Sequence, residues 1–480
     1  MPDHSINHPL RQSDQLANKM LRSWWRLLAP LLVVVLGVTL LGPAPVHAVS
    51  PGCSIEPGWW ESKGLNPVFP SGAAANETDC DFQRWSWTAF AHYMQKNGPT
   101  GQPLFLSLPT AQDLEQRASG QSQDSVAATP GGLRLAPRFQ KPGLASRRRN
   151  QDDLSSLNQA GSEGILVAQD SRVVYYSIHV NRDYYNFAKL HMGNENYNKT
   201  PPIKNFPVNA TVVKAAWKVV DENSNLPRDT FTTKATIQLL ETDKDGKLQA
   251  SQQTQPNVTV ALVGVHVVGV VDNHPEFIWA TFEQNNNTPD LAGGTSISSD
   301  QQVSAQNFTF YKAGTTAANS NKLPAAYTLN AETQQVKPLT NIFRQFAHGG
   351  AEFSAESPTV SGMNRVADID SINANFRTDI PVHPTQIDPV FSNYKLIGSV
   401  WLDTTQTPLK PGLDVFGNAV GSITLANSTM ESFVQGIGAN CFSCHTTQPF
   451  PTKSEFKDKN IAVSHIISGS LTPTTSSNQS

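Results

Sequence analysis

Apolar and polar positions alternate differently in successive parts of the chain. An uncharged apolar run comes first, Leu27–Gly42 (LLAPLLVVVLGVTLLG). Further on, Asp81–Gln95 (DFQRWSWTAFAHYMQ) spaces Phe82, Trp85, Ala89 and Tyr93 three or four apart. That period predicts an amphipathic helix, and Gly98, Pro99 and Gly101 stop it. The middle then changes to β-branched and aromatic runs: Arg172–Asn181, Val208–Val220, Thr232–Thr242, Val258–Val271, Glu276–Gln284 and Ser392–Asp403. Each reads as a strand. Val258–Val271 (VTVALVGVHVVGVV) is nearly continuous in apolar residues, as suits a strand buried on both faces. Asp243–Gly246 (DKDG) and Asp272–Pro275 (DNHP) supply turns. If Val271 stands opposite Glu276, His266 faces Thr281 and shares a face with Glu283; a one-residue slip would undo this. Later, Ser428-Thr429-Met430-Glu431 has the form of a capping box and predicts a helix to about Gln435.

This order of helix, β core and helix predicts an α+β fold, a β-rich central body with flanking helices. No period of roughly 20–50 residues recurs, which disfavours solenoids and propellers. The expected divisions are a signal peptide at 1–48, an N-terminal helical segment at 49–110 and a low-complexity insertion at 111–164. A β-rich body follows at 165–410, then a C-terminal segment at 411–468 and a disordered tail at 469–480. The insertion is rich in Ser, Gln, Asp, Gly and Pro and contains Arg147-Arg148-Arg149, read as a solvated charge run.

Composition narrows the partners. A net charge of −3 over 480 residues argues against a polybasic nucleic-acid binder, so no nucleic-acid partner is expected. The 38% hydrophobic content is too high for a wholly disordered chain. Arg11, Lys19, Arg22 and Arg26 precede the first apolar run, and Val46-His47-Ala48 follows it as a small-x-small cleavage pattern. That is the form of a secretory signal peptide. The rival is a retained anchor, but 16 residues fall short of the roughly 20 a span requires. Cleavage near Val49 leaves 32 basic against 37 acidic residues, a net −5. The expectation is an exported protein of the periplasm or an equivalent lumenal space, with no stable membrane span in the mature chain.

The strongest chemical signal is Cys441-Phe442-Ser443-Cys444-His445. Cys-x-x-Cys-His is the c-type haem attachment pattern. Its spacing lets two thiols reach two vinyl groups on one porphyrin edge, and lets the adjacent imidazole serve as axial iron ligand. One covalently attached haem c is therefore expected, held by Cys441, Cys444 and His445, which makes 411–468 a C-terminal helical haem c segment. A thioredoxin-type redox pair competes, but no βαβ pattern precedes Cys441. A structural zinc site competes too, but needs further ligands from afar. A disulfide across two residues would be strained. Cys53 and Cys80 are the remaining pair. They form a candidate disulfide closing a loop of about 28 residues, worth roughly 3 kcal/mol. Lipidation of Cys53 is the alternative, on a poor lipobox.

Only 35 residues follow His445 and none is Met, so no standard class I cytochrome module follows the motif. His465 is a candidate sixth iron ligand if a short helical return brings it back; otherwise it is an ordinary segment histidine. His266 is a candidate sixth ligand or distal group; otherwise it is a satisfied core residue. Met430 reads more readily as core, and Met363, His348 and His383 lie in loop-like segments. An open sixth position would admit peroxide, NO or O₂.

Several strings then carry a resemblance: Phe82–Phe90 (FQRWSWTAF), Val213–Trp217 (VKAAW), Val263–Val267 (VGVHV), Phe277–Gln284 (FIWATFEQ), and Leu425–Gln435 (LANSTMESFVQ) leading into NCFSCH. Together the chain resembles a poorly characterised family of large exported bacterial proteins with one C-terminal haem motif, labelled cytochrome c family proteins. The resemblance implies covalent haem c and an exported location, and carries over only Cys441, Cys444 and His445. It supplies no substrate and no redox partner.

Three functions follow as expectations. The first is a monohaem c-type cytochrome that transfers electrons. The second is a haem oxidoreductase of peroxidase or oxygenase character, with His266 and Glu283 or Arg344 as distal groups. The third is a non-catalytic haem sensor or binding protein.

Overall fold

The computed structural model describes residues 52–62, 64–70, 77–118, 132–137, 164–192, 205–221, 229–291, 296–347, 362–402, 419–436, 439–445 and 460–468. The Leu27–Gly42 run, Arg147–Arg149, His348 and the tail 469–480 lie outside them.

Eight strands among the described residues form one sheet: β1 (Leu133–Pro137), β2 (Val174–Val180), β3 (Thr211–Val219), β4 (Thr232–Thr242), β5 (Leu248–Val271), β6 (His274–Gln284), β7 (Tyr394–Leu402) and β8 (Ala419–Gly421). Their spatial order is β8-β7-β6-β5-β3-β2-β1-β4, and β4 also pairs with β5. The length of β5, 24 residues, makes this closure possible. Its first part pairs with β4, from Leu248 opposite Thr242 to Ala261 opposite Thr232. Its second part pairs with β3 on one side and β6 on the other. The register shifts between Ala235 and Ile237 and between Gln238 and Leu240 place the extra residues on β5, which is the bulged strand of this pair. The DKDG turn closes β4 onto β5, with Asp243 Oδ1 accepting from the Asp245 and Lys247 N–H groups. The fold is thus mixed α+β, a large sheet with a few helices.

Helix α1 (Asp79–Met94) begins two residues before the sequence predicts, because the N–H and hydroxyl of Thr78 both donate to Asp81 Oδ2. Its N-terminus is tied to the preceding segment by a Cys53–Cys80 disulfide. Helix α2 (Ala111–Ala118) and strand β1 fall inside the stretch read as a low-complexity insertion. There Leu133–Leu135 pair in parallel with Ala235–Ile237, and Ala136 and Pro137 pair with β2. Helix α3 (Arg182–His191) follows β2 and is capped by the Asn181 side chain. Helix α4 (Gly362–Asp379) was not anticipated; Met363, read as a loop residue, falls in its first turn. No helix among the described residues is long and apolar enough to cross a membrane.

The two faces of the sheet bury different partners, as period-two alternation requires. Val265, Val267, Ala280 and Phe282 join the main core with α1 and α4. There Trp87 stacks on Phe376 at 4.7 Å and Phe90 on Phe282 at 4.3 Å. On the opposite face Val268, Phe277 and Trp279 pack with Phe442, Ile461, Val463 and Ile466 of the C-terminal segment.

The helix predicted for Ser428–Gln435 does not form; the segment is a run of turns. Ser428 cannot cap it, because its N–H (2.8 Å) and its hydroxyl are both taken by Glu283. Asn427 caps instead: its Oδ1 accepts from Thr429 N–H at 2.9 Å, and Glu431 Oε2 accepts from its own N–H at 2.8 Å. The turn lies close on β5 at Gly264, where any Cβ would collide with Thr429 Oγ1 and Asn427.

Candidate haem site

The Cys-x-x-Cys-His string begins on a single helical turn, α5 (Cys441–Cys444). Asn440 sets it: its Oδ1 accepts from the Phe442 N–H (2.9 Å) and its Nδ2 donates to the Ile423 carbonyl (2.9 Å). Phe442 is fully buried against the sheet, its ring 6.0 Å from that of Trp279. His445 closes the turn by donating its N–H to the Cys441 carbonyl at 2.8 Å.

A second segment returns to meet it. Asn460 is buried and pinned, its N–H on Asn205 Oδ1 (2.9 Å) and its Oδ1 on the Phe206 N–H (2.6 Å). This anchors the turn Asn460–Val463 and the short helix α6 (His465–Ser468). The Val463 carbonyl accepts a hydrogen bond from His445 Nδ1 at 2.8 Å. A carbonyl can only accept, so Nδ1 carries the proton, and in the neutral ring Nε2 carries the lone pair. Trp279 lies on the His445 ring at 4.2 Å between centroids, and His465 stacks on it at 3.9 Å and 19°.

These groups border a cavity of about 120 Å³ between the C-terminal segment and the sheet. Its wall is largely apolar, with Ile178, Val212, Val268, Phe277 and Leu425, and Cys441 is half-buried at its edge. Its polar lining includes Lys214, His266 and Glu431. Lys214 and His266 are direct cross-strand partners, and Thr281 flanks His266 on the other side. His266 Nε2 lies 3.1 Å from Glu431 Oε1. Burial works against a charged Glu431, but His266, the Asn427 N–H and Lys214 together hold its carboxyl below the ordinary range.

The expected residues are distributed as follows. Cys441, His445, His465 and His266 all border the one cavity. The backbone of Cys444 completes α5. His266 does face Thr281, although Val271 stands opposite His274 rather than Glu276. The carboxylate beside His266 is Glu431, not Glu283. Glu283 is fully buried and bonded to Arg344 at 2.6 Å, and neither is on the cavity wall. Burial raises the cost of charging Glu283, but Arg344 and Ser428 hold its carboxyl below the usual range. Met430 is buried in a separate cluster with Tyr176, Phe310 and Ile342. His383 stacks on Trp60 at 4.6 Å, away from the cavity. Trp279, Lys214 and Glu431 were missed. Lys214 had a signal, a lone cation within the apolar run VVKAAW.

The donor set fits a c-type haem. A half-buried thiol stands at the edge of a largely apolar cavity. The imidazole next to the second cysteine is held in the tautomer that leaves Nε2 to a metal, by the carbonyl contact typical of metal-bound histidine. A four-cysteine zinc site does not fit, since Cys53 and Cys80 are joined to each other. No family model, curated protein or solved structure matches the chain.

Proposed function

We propose that the chain is an exported monohaem c-type protein of the cytochrome c family kind, whose primary role is electron transfer. Cys441 and Cys444 would hold the haem through thioethers, and His445 would ligate its iron. The observation that carries this reading is the His445 Nδ1 contact with the Val463 carbonyl at the edge of the cavity. Bound haem supplies a one-electron Fe(II)/Fe(III) couple. The chain's own residues do the rest. Val463 orients the imidazole and raises its basicity, and Trp279 holds its face. Val212, Val268 and Phe277 give the cavity an apolar wall that would keep water from the bound group. The N-terminal run directs export, where covalent attachment prevents loss of the group.

The test is expression in a host with haem-attachment machinery, followed by denaturing electrophoresis with haem staining and a pyridine haemochrome spectrum. The expected result is one covalently held haem per chain, with the c-type band lost in Cys441→Ala/Cys444→Ala. A chain that takes up no covalent haem overturns the reading.

A further inference from the structure

We propose that the mouth of a small β-barrel within the sheet binds a neutral polyhydroxylated ligand the size of one sugar unit, held by the buried hydroxyl of Tyr175 and by amides at the rim. The proposal is independent of the haem reading above. It follows from how five strands close on themselves and from a hydroxyl that this closure leaves without a partner.

Strands β1 to β5 form a closed ring: their order is β5-β3-β2-β1-β4, and β4 pairs back onto β5. A sheet closed on so few strands fills its interior with side chains, here including Leu135, Trp217, Ile237 and Val260. At one end the filling stops short. The start of β2, the residues that follow β3, and parts of β4 and β5 border a cavity of about 220 Å³. Barrel mouths are favoured places for ligand sites. This one is braced by Arg172, whose Nε donates to Asp221 Oδ2 at 3.0 Å, whose Nη2 donates to Asp221 Oδ1 and whose Nη1 donates to the Thr333 carbonyl. The start of β2 is thereby tied to the end of β3, and the mouth keeps its shape.

Tyr175 borders this cavity and is 1% exposed. Its hydroxyl makes no hydrogen bond to any described residue. The buried hydroxyls of Tyr176 and Tyr394, by contrast, donate to the Thr429 and Leu262 carbonyls, each at 2.7 Å. A buried hydroxyl without a partner is costly unless something in the cavity meets it. Burial pushes the pKa of Tyr175 up, against the pull of Arg172, so it stays a phenol that can donate and accept. At the rim the exposed amides of Gln255 and Asn257 can also do both. The charges do not make an anion site. Arg172 is answered by Asp221, and Lys234 is exposed, its ammonium donating to Thr259 Oγ1 at 2.7 Å. Neutral groups that donate and accept match ligand hydroxyls, which do the same. Val219, Ile237 and Val258 on the wall suit the C–H face of a sugar ring, and the space is too small for a nucleotide.

The experiment uses the full exported chain. Glucose, galactose, mannose and N-acetylglucosamine are screened by ligand-observed saturation-transfer NMR, with gluconate and phosphate as anionic controls. The expected result is saturable binding of at least one neutral sugar and of neither anion. Maltose and chitobiose separate the two sources of such a unit: binding as tight as that of the monomer assigns the mouth to glycan ends, and weaker binding assigns it to free sugar. Tyr175→Phe weakens the sugar about threefold to tenfold, the scale of one neutral hydrogen bond, and Gln255→Ala weakens it less. The same Tyr175→Phe leaves the unfolding midpoint level or higher, because no protein group is stranded, so a loss of affinity is not a loss of fold. Cys441→Ala/Cys444→Ala binds the sugar as the parent chain does, which keeps this result apart from the fate of the haem reading. A chain that binds no neutral sugar, or that prefers gluconate, overturns the proposal. So does a sugar bound equally well by Tyr175→Phe, or a Tyr175→Phe that is destabilised, since the hydroxyl then has a partner within the protein.

Discussion

His274 presents each ring nitrogen to a carboxylate: Nδ1 lies 2.7 Å from Glu276 Oε1 and Nε2 lies 2.7 Å from Glu77 Oε2. The three side chains are buried, and Glu276 Oε1 also accepts the Leu402 N–H at 3.0 Å. One imidazolium thereby joins the segment entering α1, the β5–β6 hairpin and the end of β7. Burial alone would depress the pKa of His274. The charges and hydrogen bonds of Glu276 and Glu77 override it and raise the pKa to about 9.

The sign of the pH dependence follows. A group whose folded pKa exceeds its unfolded value binds more protons in the native state. Its stabilisation is complete below about 6.5 and is lost as pH rises through about 9. The upper bound is about 3 kcal/mol. Denaturant unfolding between pH 6 and 10 should show this alkaline loss, and His274→Gln should flatten it. A wild-type curve level across that range would remove the clamp from the account.

Glu283 and Arg344 are a buried pair with a second duty. Glu283 also accepts the Ser428 N–H, and so anchors the 427–431 turn from which Glu431 reaches His266. Removing one partner of a buried pair costs about 3–5 kcal/mol, because the other charge stays behind. Glu283→Gln and Arg344→Met should each show a loss of that order in chemical denaturation, and the double variant should lose less than their sum. The folded pKa of Glu283 is depressed, so its share of stability is present above the ordinary carboxylate range and fades as pH falls.

The disulfide Cys53–Cys80 joins residues 27 apart at the start of α1. Its loop predicts about 3 kcal/mol of stabilisation by restricting the unfolded chain. Cys53→Ser/Cys80→Ser should lower the unfolding free energy by that order. Dithiothreitol should do the same to the native protein and nothing further to the variant.

What the sequence made legible divides along the line between local and non-local causes. Thr232–Thr242 appears as predicted because β-branched residues declare a strand within a few positions. The His266–Thr281 pairing was also readable, although the assumed start of the hairpin was two residues off. A shift between Gly269 and Val271, with Phe277 at φ +72°, absorbs an even number of residues and so keeps every face. β1 was not readable, because Leu133–Pro137 is short, lies in a low-complexity stretch and becomes a strand only through its neighbours. The Cys441–His445 string is local and could be read directly. Its supports, Trp279, Glu431 and the Val463 carbonyl, are set by packing between distant segments. Ser428–Glu431 carried a true helix-start signal that Glu283, 145 residues away, diverted.

Asn460 tests how His445 is held. Its side chain pins the Asn460–Val463 turn to Phe206, so the Val463 carbonyl reaches His445 Nδ1 only while that anchor stands. Asn460→Ala strands the buried Phe206 N–H, a loss of about 1–3 kcal/mol. The more specific signature is the His445 Nδ1 proton. Bonded to a carbonyl beneath Trp279 and His465, it should exchange slowly with solvent and be observable by proton NMR in the chain without haem. In Asn460→Ala it should exchange faster, while Phe442 remains packed on Trp279. An unchanged exchange rate in a variant destabilised as expected would mean that α6 alone positions Val463. The imidazole would then owe its tautomer to the contacts of Ile466 and Ile467 with the sheet rather than to the Asn460 anchor.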